Sequence, residues 1–151
     1  MSADDPELVE AAREAARSAY SPYSGFSVGC AIRSDTGEIV TGANMENACY
    51  RLGLCAEVAA LTAAQSAFGL AHVARIAVAG GRAGPDGALR GAAIVTSCGG
   101  CRQSILEAAQ LSGRDVEIIS VNGDGSEARC DRISALLPHG FGPANLDDAA
   151  A

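Results

Sequence analysis

Tryptophan is absent from this chain, and three Tyr and three Phe make up its whole aromatic content, 4 % of 151 residues. Single-stranded nucleic acids are held on rows of stacking faces, which this composition cannot supply. A cationic grip is missing as well. Eighteen acidic residues against eleven basic ones leave a net charge of −7 with no Lys/Arg cluster, which excludes binding to a polyanionic backbone by counterion release. Hydrophobic residues reach 48 %, yet no apolar run approaches the ~18 residues of a membrane span. No charged n-region followed by an apolar h-region opens the sequence, and the expected location is the cytoplasm. Histidine is reduced to His72 and His139, isolated from each other, so no His-x-His pair is on offer for a structural metal site. What these absences leave is a protein for small molecules. A chain of this length loses roughly 68–70 % of its surface on folding, enough for one domain over residues 1–151, with an Ala-ended tail from about residue 147 expected to be unstructured.

Asp4 or Asp5 can cap a helix that Pro6 suits at its first turn, and Leu8, Val9, Ala12, Ala15, Ala16 and Ala19 continue it to Tyr20 at helical spacing. After Ser21-Pro-Tyr-Ser-Gly25, alternation predicts a strand over Phe26 to Ile32, a turn at Asp35-Thr-Gly37 and a second strand to Ala43, which makes a β-hairpin. A polar stretch from Asn44 to Gly53 delivers the chain to a helix from about Leu54 to Phe68. Arg75 to Gly80 reads as a buried strand, Gly80 to Gly91 as an exposed loop and Ala92 to Thr96 as a short strand. Helix Gly99–Leu111, strands Val116–Val121 and Glu127–Ile133, and a small helix at Ser134–Leu137 follow. This order predicts an α/β fold, a three-layer α/β/α sandwich around a mixed five-stranded sheet.

Six cysteines could imply a disulfide framework, but the chain is too long and too rich in core residues for that reading. Cys98-Gly-Gly-Cys101 places two thiols at i and i+3 where a helix begins, and Cys55 opens another helix. Helix N-termini carry unpaired N–H groups and a positive dipole end, so they favour thiolate. Three thiols leave one tetrahedral position open, the arrangement of a catalytic zinc site. Glu57, two residues after Cys55, is then placed beside the metal, where a carboxylate can move protons. A redox pair or half of a structural zinc site is the alternative for Cys98 and Cys101. Cys30 and Cys130, both in strands, read as small buried hydrophobes.

Five blocks in order resemble the cytidine deaminases, specifically their small homotetrameric zinc-dependent class. They are Tyr20-Ser-Pro-Tyr-Ser-Gly-Phe-Ser-Val-Gly29, Gly42-Ala-Asn-Met-Glu-Asn-Ala-Cys-Tyr50, Cys55-Ala-Glu57, Cys98-Gly-Gly-Cys-Arg-Gln103 and Leu136-Leu-Pro-His-Gly-Phe-Gly-Pro-Ala-Asn-Leu146. The resemblance implies hydrolysis of cytidine and 2′-deoxycytidine to uridine and 2′-deoxyuridine, with Zn2+ on Cys55, Cys98 and Cys101. Zinc-bound hydroxide would attack C4, and Glu57 would shuttle protons to N3 and to the leaving amine. It also implies that Phe26 packs on the pyrimidine, Asn44 and Glu46 hold the ribose, and the backbone at Ala56 reads the base edge. Ala48, Tyr50 and Phe141 would close the pocket, partly from neighbouring subunits of a homotetramer. No nucleic-acid or membrane partner is implied.

Three residues depart from that pattern. Ser97 replaces the usual Pro, Gly100 the usual Ala or Val, and Val58 the Arg that accompanies a three-cysteine site, so either the zinc-bound water is less acidified here or another cation, Arg102 or Arg51, substitutes for that charge. These departures leave open a deaminase of a modified cytosine nucleoside, of the blasticidin type. From another class, a non-catalytic zinc-stabilised binding module is the competing reading.

Overall fold

The computed structural model describes residues 4–150 of the chain. Helix α1 (Pro6–Ala15) begins as the capping residues predict: Asp5 Oδ1 accepts the Leu8 N–H at 3.1 Å. It tightens into a 3₁₀ turn at Ala16–Ser18 and ends there, two residues short of Tyr20. Strands β1 (Phe26–Ser34) and β2 (Ile39–Ala43) form the expected hairpin, pairing antiparallel from Gly29–Ala43 to Arg33–Ile39. Helix α2 (Ala56–Ala67), strand β3 (Val73–Ala83), a two-residue strand β4 (Leu89–Arg90) and helix α3 (Gly99–Ser112) follow. The chain closes with β5 (Glu117–Val121), β6 (Ala128–Arg132), a single turn α4 (Ile133–Leu136) and α5 (Pro143–Ala150).

Five strands run in the order β2-β1-β3-β5-β6, and β4 pairs with the far end of β3 as a short sixth. Only β3 and β5 are parallel; the other pairs along the path are antiparallel. Side-chain alternation splits the core in two. Cys30, Ile32, Ile76, Val78 and Ile118 face α2 and α3. Ala31, Ala77, Ala79, Ile119 and Val121 face Leu8, Ala12 and Ala16 of α1. The result is the α/β/α layering, and each fully buried Ile or Leu contributes roughly 1.5–3 kcal/mol to it. Two glycines set how closely the helices lie. A Cβ on Gly29 would collide with the carbonyl of Ala12 in α1, and one on Gly42 with the backbone of Ala60 in α2.

Three expectations need correction. The run from Gly80 is not wholly loop: β3 continues to Ala83 and returns as β4, with Arg82 opposite Arg90. Ala92 to Thr96 forms no strand and makes a single bridge, Ile94 to Asn122. Its apolar residues look strand-like, but β1 occupies one edge of β3, and β5 with β4 the other, so β3 offers it no ladder to join. The tail expected to be unstructured from about residue 147 is helical to Ala150, while residue 151 lies outside the described residues. Pro143 begins that helix, the Gly142 N–H donates to Asn145 Oδ1 at 2.9 Å, and the Ala144 N–H donates to Gln110 Oε1 at 3.0 Å. Composition gave no hint of those anchors. Among the described residues, no helix is long and apolar enough to cross a membrane.

Candidate metal centre and adjoining cleft

Cys55 is the N-cap of α2 and Cys98 the N-cap of α3, and neither side chain spends itself on a capping hydrogen bond. Both sulfurs stand at a positive helix end. The sheet brings the two helix ends together, so that the sulfurs of Cys55, Cys98 and Cys101 all lie within 4.8 Å of one another. Cys98 Sγ is 3.3 Å from Cys101 Sγ. Three sulfurs at the zinc–sulfur distance of a tetrahedral site stand about 3.8 Å apart, so the cluster fits a zinc ion with small side-chain movements. Cys101 is buried while Cys55 and Cys98 are exposed, which gives the cluster one open side. A Cβ on Gly99 or Gly100, between the two thiols of α3, would meet nothing within 4 Å.

Glu57, in the first turn of α2, is 5 % exposed and places Oε2 3.4 Å from Cys101 Sγ. The Cys101 backbone N–H, directed at sulfur, holds the Cys98 thiol below its ordinary pKa. Burial, reinforced by the Glu57 charge, pushes Cys101 far upward, and burial raises Cys55. A divalent cation among them opposes both upward shifts, because its charge favours thiolate. Cys30 lies beneath, fully buried, and is likewise raised by burial and by the Glu57 charge. Directly before Cys98, the Ser97 hydroxyl is buried and has no hydrogen-bond partner. Arg102, an expected charge substitute for Val58, donates Nε to the Ser97 carbonyl at 2.9 Å and Nη1 to the Leu136 carbonyl at 3.0 Å. It ties backbone rather than thiols. Val58 itself lines a groove between α2 and α3 with Leu61, Thr62, Gln103 and Glu107.

A cleft of about 480 Å³ adjoins the cluster at Cys55, and Tyr23, Ser24, Asn44, Glu46 and Tyr50 are among its walls. Its floor is stitched by Met45, which exchanges both backbone hydrogen bonds with Leu54 at 2.9 Å. On either side of Met45, the Asn44 carbonyl accepts the Tyr20 N–H at 3.0 Å and the Glu46 N–H donates to the Tyr20 carbonyl at 2.8 Å. The residue after Leu54 is Cys55, so the same short segment that presents Asn44 and Glu46 also fixes a sulfur. The Asn44 side chain acts as an extra rung of the hairpin: Oδ1 accepts the Val28 N–H at 2.8 Å and Nδ2 donates to the Phe26 carbonyl at 3.0 Å. One amide hydrogen and one lone pair remain by inventory. Glu46 Oε1 accepts the N–H groups of Tyr23 and Ser24, each at 3.1 Å. Hydrogen bonds from the Ser24 side chain and then these backbone groups hold its carboxyl below the usual range.

Of the residues expected in the site, Cys55, Cys98, Cys101 and Glu57 come together, and Asn44, Glu46 and Tyr50 share the cleft with Cys55. Ala56 is buried at the start of α2, beside Cys55. Phe26 is half-buried on β1, Ala48 and Phe141 are exposed, and none of the three lines the cleft of a single chain. Tyr23 was missed. Its ring meets that of Tyr50 edge-on at 5.9 Å, and the signal that could have found it is its position in a turn-forming Pro-Tyr-Ser-Gly run directly ahead of a strand.

The family model described as "Cytidine and deoxycytidylate deaminase zinc-binding region" matches residues 2–112, which include all three thiols and Glu57. The chain belongs to that family. Its curated relatives include the cytidine deaminase of Mycobacterium tuberculosis strain H37Rv, 38 % identical over 91 % of this chain and 86 % of that protein. The cytidine deaminase of Halalkalibacterium halodurans is 36 % identical over 96 % of this chain and 99 % of its own length. Among solved structures, the cytidine deaminase from Burkholderia pseudomallei superposes with a TM-score of 0.76 at 36 % identity, covering 93 % of this chain and all of that one. The zinc-binding description of the deaminase family agrees with the cluster that the fold assembles here.

Proposed function

We propose that this chain is a cytidine deaminase, hydrolysing cytidine and 2′-deoxycytidine to uridine and 2′-deoxyuridine with release of ammonia. The observation that carries the reading is the buried Glu57 carboxylate 3.4 Å from one member of a three-sulfur cluster, with a cleft opening at another. The names of the similar proteins support the substrate.

Zinc held by Cys55, Cys98 and Cys101 would supply Lewis acidity, making a water nucleophilic near neutral pH. Glu57 takes the proton of the attacking water and delivers it to ring N3 as oxygen adds to C4. It then takes the remaining hydroxyl proton and passes it to the exocyclic amine as the C4–N bond breaks. One water enters, one ammonia leaves, and the carboxylate is regenerated. Burial suits the task, since a dry site strengthens each of these interactions. Asn44 and Glu46 would hold the ribose hydroxyls: a carboxylate has about four acceptor sites, so two backbone N–H bonds leave Glu46 room for a sugar. The Ala56 backbone would read the base edge.

In this reading Phe26 packs on the pyrimidine, and Ala48, Tyr50 and Phe141 close the pocket in a homotetramer whose subunits share sites. The high exposure of Tyr50 (80 %) and Phe141 (62 %) in one chain favours that arrangement. We take the protein as one domain acting in the cytoplasm, in pyrimidine salvage. The Ser97, Gly100 and Val58 departures favour a second reading, a deaminase of a bulkier, modified cytosine nucleoside. An ultraviolet assay with cytidine, 2′-deoxycytidine and a bulky cytosine nucleoside separates the two. Turnover of none of the three, with zinc bound at one per chain, would leave the zinc-stabilised binding module standing.

A further inference from the structure

Residues 136–144 run as a strap across one face of α3, the helix that starts with the metal ligands. Four α3 side chains hold it. Arg102 Nη1 donates to the Leu136 carbonyl at 3.0 Å, Gln103 Nε2 donates to the Phe141 carbonyl at 2.7 Å, and Gln110 Oε1 accepts the Ala144 N–H at 3.0 Å. Between them the strap presses on Leu106, close enough that a Cβ on Gly140 would stand 2.6 Å from its Cδ2. Positions 102, 106 and 110 form one stripe of the helix, and 103 stands beside it. His139 takes a left-handed conformation, φ 57°, which a non-glycine residue keeps only where its surroundings impose it. At the turn so formed, the Phe141 side chain projects 62 % exposed.

The arrangement fixes the backbone of Phe141 while leaving its ring free. Gln103 gives the bond closest to the ring and the shortest of the three. We propose that Gln103 is a positioning residue, which sets Phe141 for its part in a nucleoside pocket by holding the Phe141 carbonyl against α3. This rests on the role given to Phe141 above. Gln103 itself touches no reacting group in this account. Its effect passes wholly through Phe141, and the Arg102 bonds to Ser97 and Leu136 join the same strap to the loop that carries Cys98.

Gln103→Met keeps the side-chain length and removes the donor. It is expected to raise KM for cytidine about tenfold, the worth of one lost hydrogen bond, with kcat little changed. Phe141→Ala is expected to raise KM at least as much. Adding Gln103→Met to Phe141→Ala then changes KM by less than about twofold, because the two residues act as one unit. Additive effects, or a Gln103→Met enzyme with unchanged KM, overturn the positioning role and leave that of Phe141 intact. An unchanged KM in Phe141→Ala overturns both. A readout free of turnover uses the absence of tryptophan from the chain: Phe141→Trp puts a single indole on the strap. In that background Gln103→Met should increase acrylamide quenching of the indole, and equal quenching with and without the substitution defeats the proposal.

Discussion

The molecule contains two pairs of a thiol and a glutamate, one on each face of its sheet, and they have opposite fates. On the α1 face Cys130 donates to Glu117 Oε1 at 3.0 Å, and Arg75 Nη2 holds the other oxygen at 2.6 Å. Arg75 also stands 3.8 Å from Asp5, which forms a two-pronged bond with Arg33 at 2.8 and 3.0 Å. Every charge there has a counter-charge. On the other face Cys101 sits 3.4 Å from Glu57, and the next neighbours are two more thiols instead of an arginine. A thiol beside a carboxylate is thus neutral as a signal. An arginine in the neighbourhood makes the pair part of a stable ion network, whereas further thiols make it a place for a cation.

The sharpest way to break this contrast is to neutralise each carboxylate in turn. Glu57→Gln should lower turnover by about 10²–10⁴ with metal content retained, the span typical of a lost general acid–base group. Glu117→Gln should leave kcat essentially unchanged, and steady-state kinetics beside metal analysis distinguish them. Comparable losses in both would erase the distinction between the faces. Next come the thiols. Cys101→Ser should weaken zinc binding by more than the roughly 10–100-fold cost of disturbing an outer partner of a metal ligand. Cys130→Ser should leave one zinc per chain, as read by a chelator competition.

The ion network has a smaller, structural signature. Arg75→Met strands the largely buried Glu117 carboxylate, while Asp5 keeps Arg33, and should cost about 1–2 kcal/mol in urea unfolding, discounted for partial contact with water. Its pH dependence has a definite sign. The Glu117 carboxyl is held low by the Cys130 thiol and then by Arg75, and that of Asp5 chiefly by Arg33. Their contribution is therefore complete above the unfolded carboxylate values, about 4, and is lost as pH falls through the lower folded values. Removing Arg75 should take away its share of the Glu117 contribution and make that acid limb shallower, while the part due to Asp5 and Arg33 remains. The least effect is expected at Ser97, whose hydroxyl is buried and unpaired: Ser97→Ala should be neutral or stabilise by up to about 1 kcal/mol without metal. A clear destabilisation would show that the hydroxyl has a partner.

The metal end of the fold was legible because its residues are local signals. Thiols at i and i+3 before a helical run, and a thiol two residues ahead of a carboxylate, declare themselves without tertiary knowledge. The hairpin was legible for the same reason, through alternation and a Gly37 turn. What escaped was decided by competition for partners at a distance. Ala92 to Thr96 has strand composition, but β3 beside it is already paired along both edges, and the C-terminal helix depends on a Gln110 side chain more than thirty residues away. Arg102 had the right charge and place to serve the thiols, yet two carbonyls claim its guanidinium. Asn44 reads as a turn former or a ligand, and the fold uses it as both a cleft wall and a rung of the hairpin.

Met45 and Leu54 share a single backbone pair, and that pair ties the Asn44 and Glu46 wall of the cleft to the segment that carries Cys55. Opening the cleft by moving one wall from the other requires both of its hydrogen bonds to break together, so the two sides belong to one cooperative unit. The amides of Met45 and Leu54 should accordingly exchange with solvent at a common rate, well below those of the exposed loop at Asn47 and Ala48. Their exchange then serves as a gauge of whether the walls have parted.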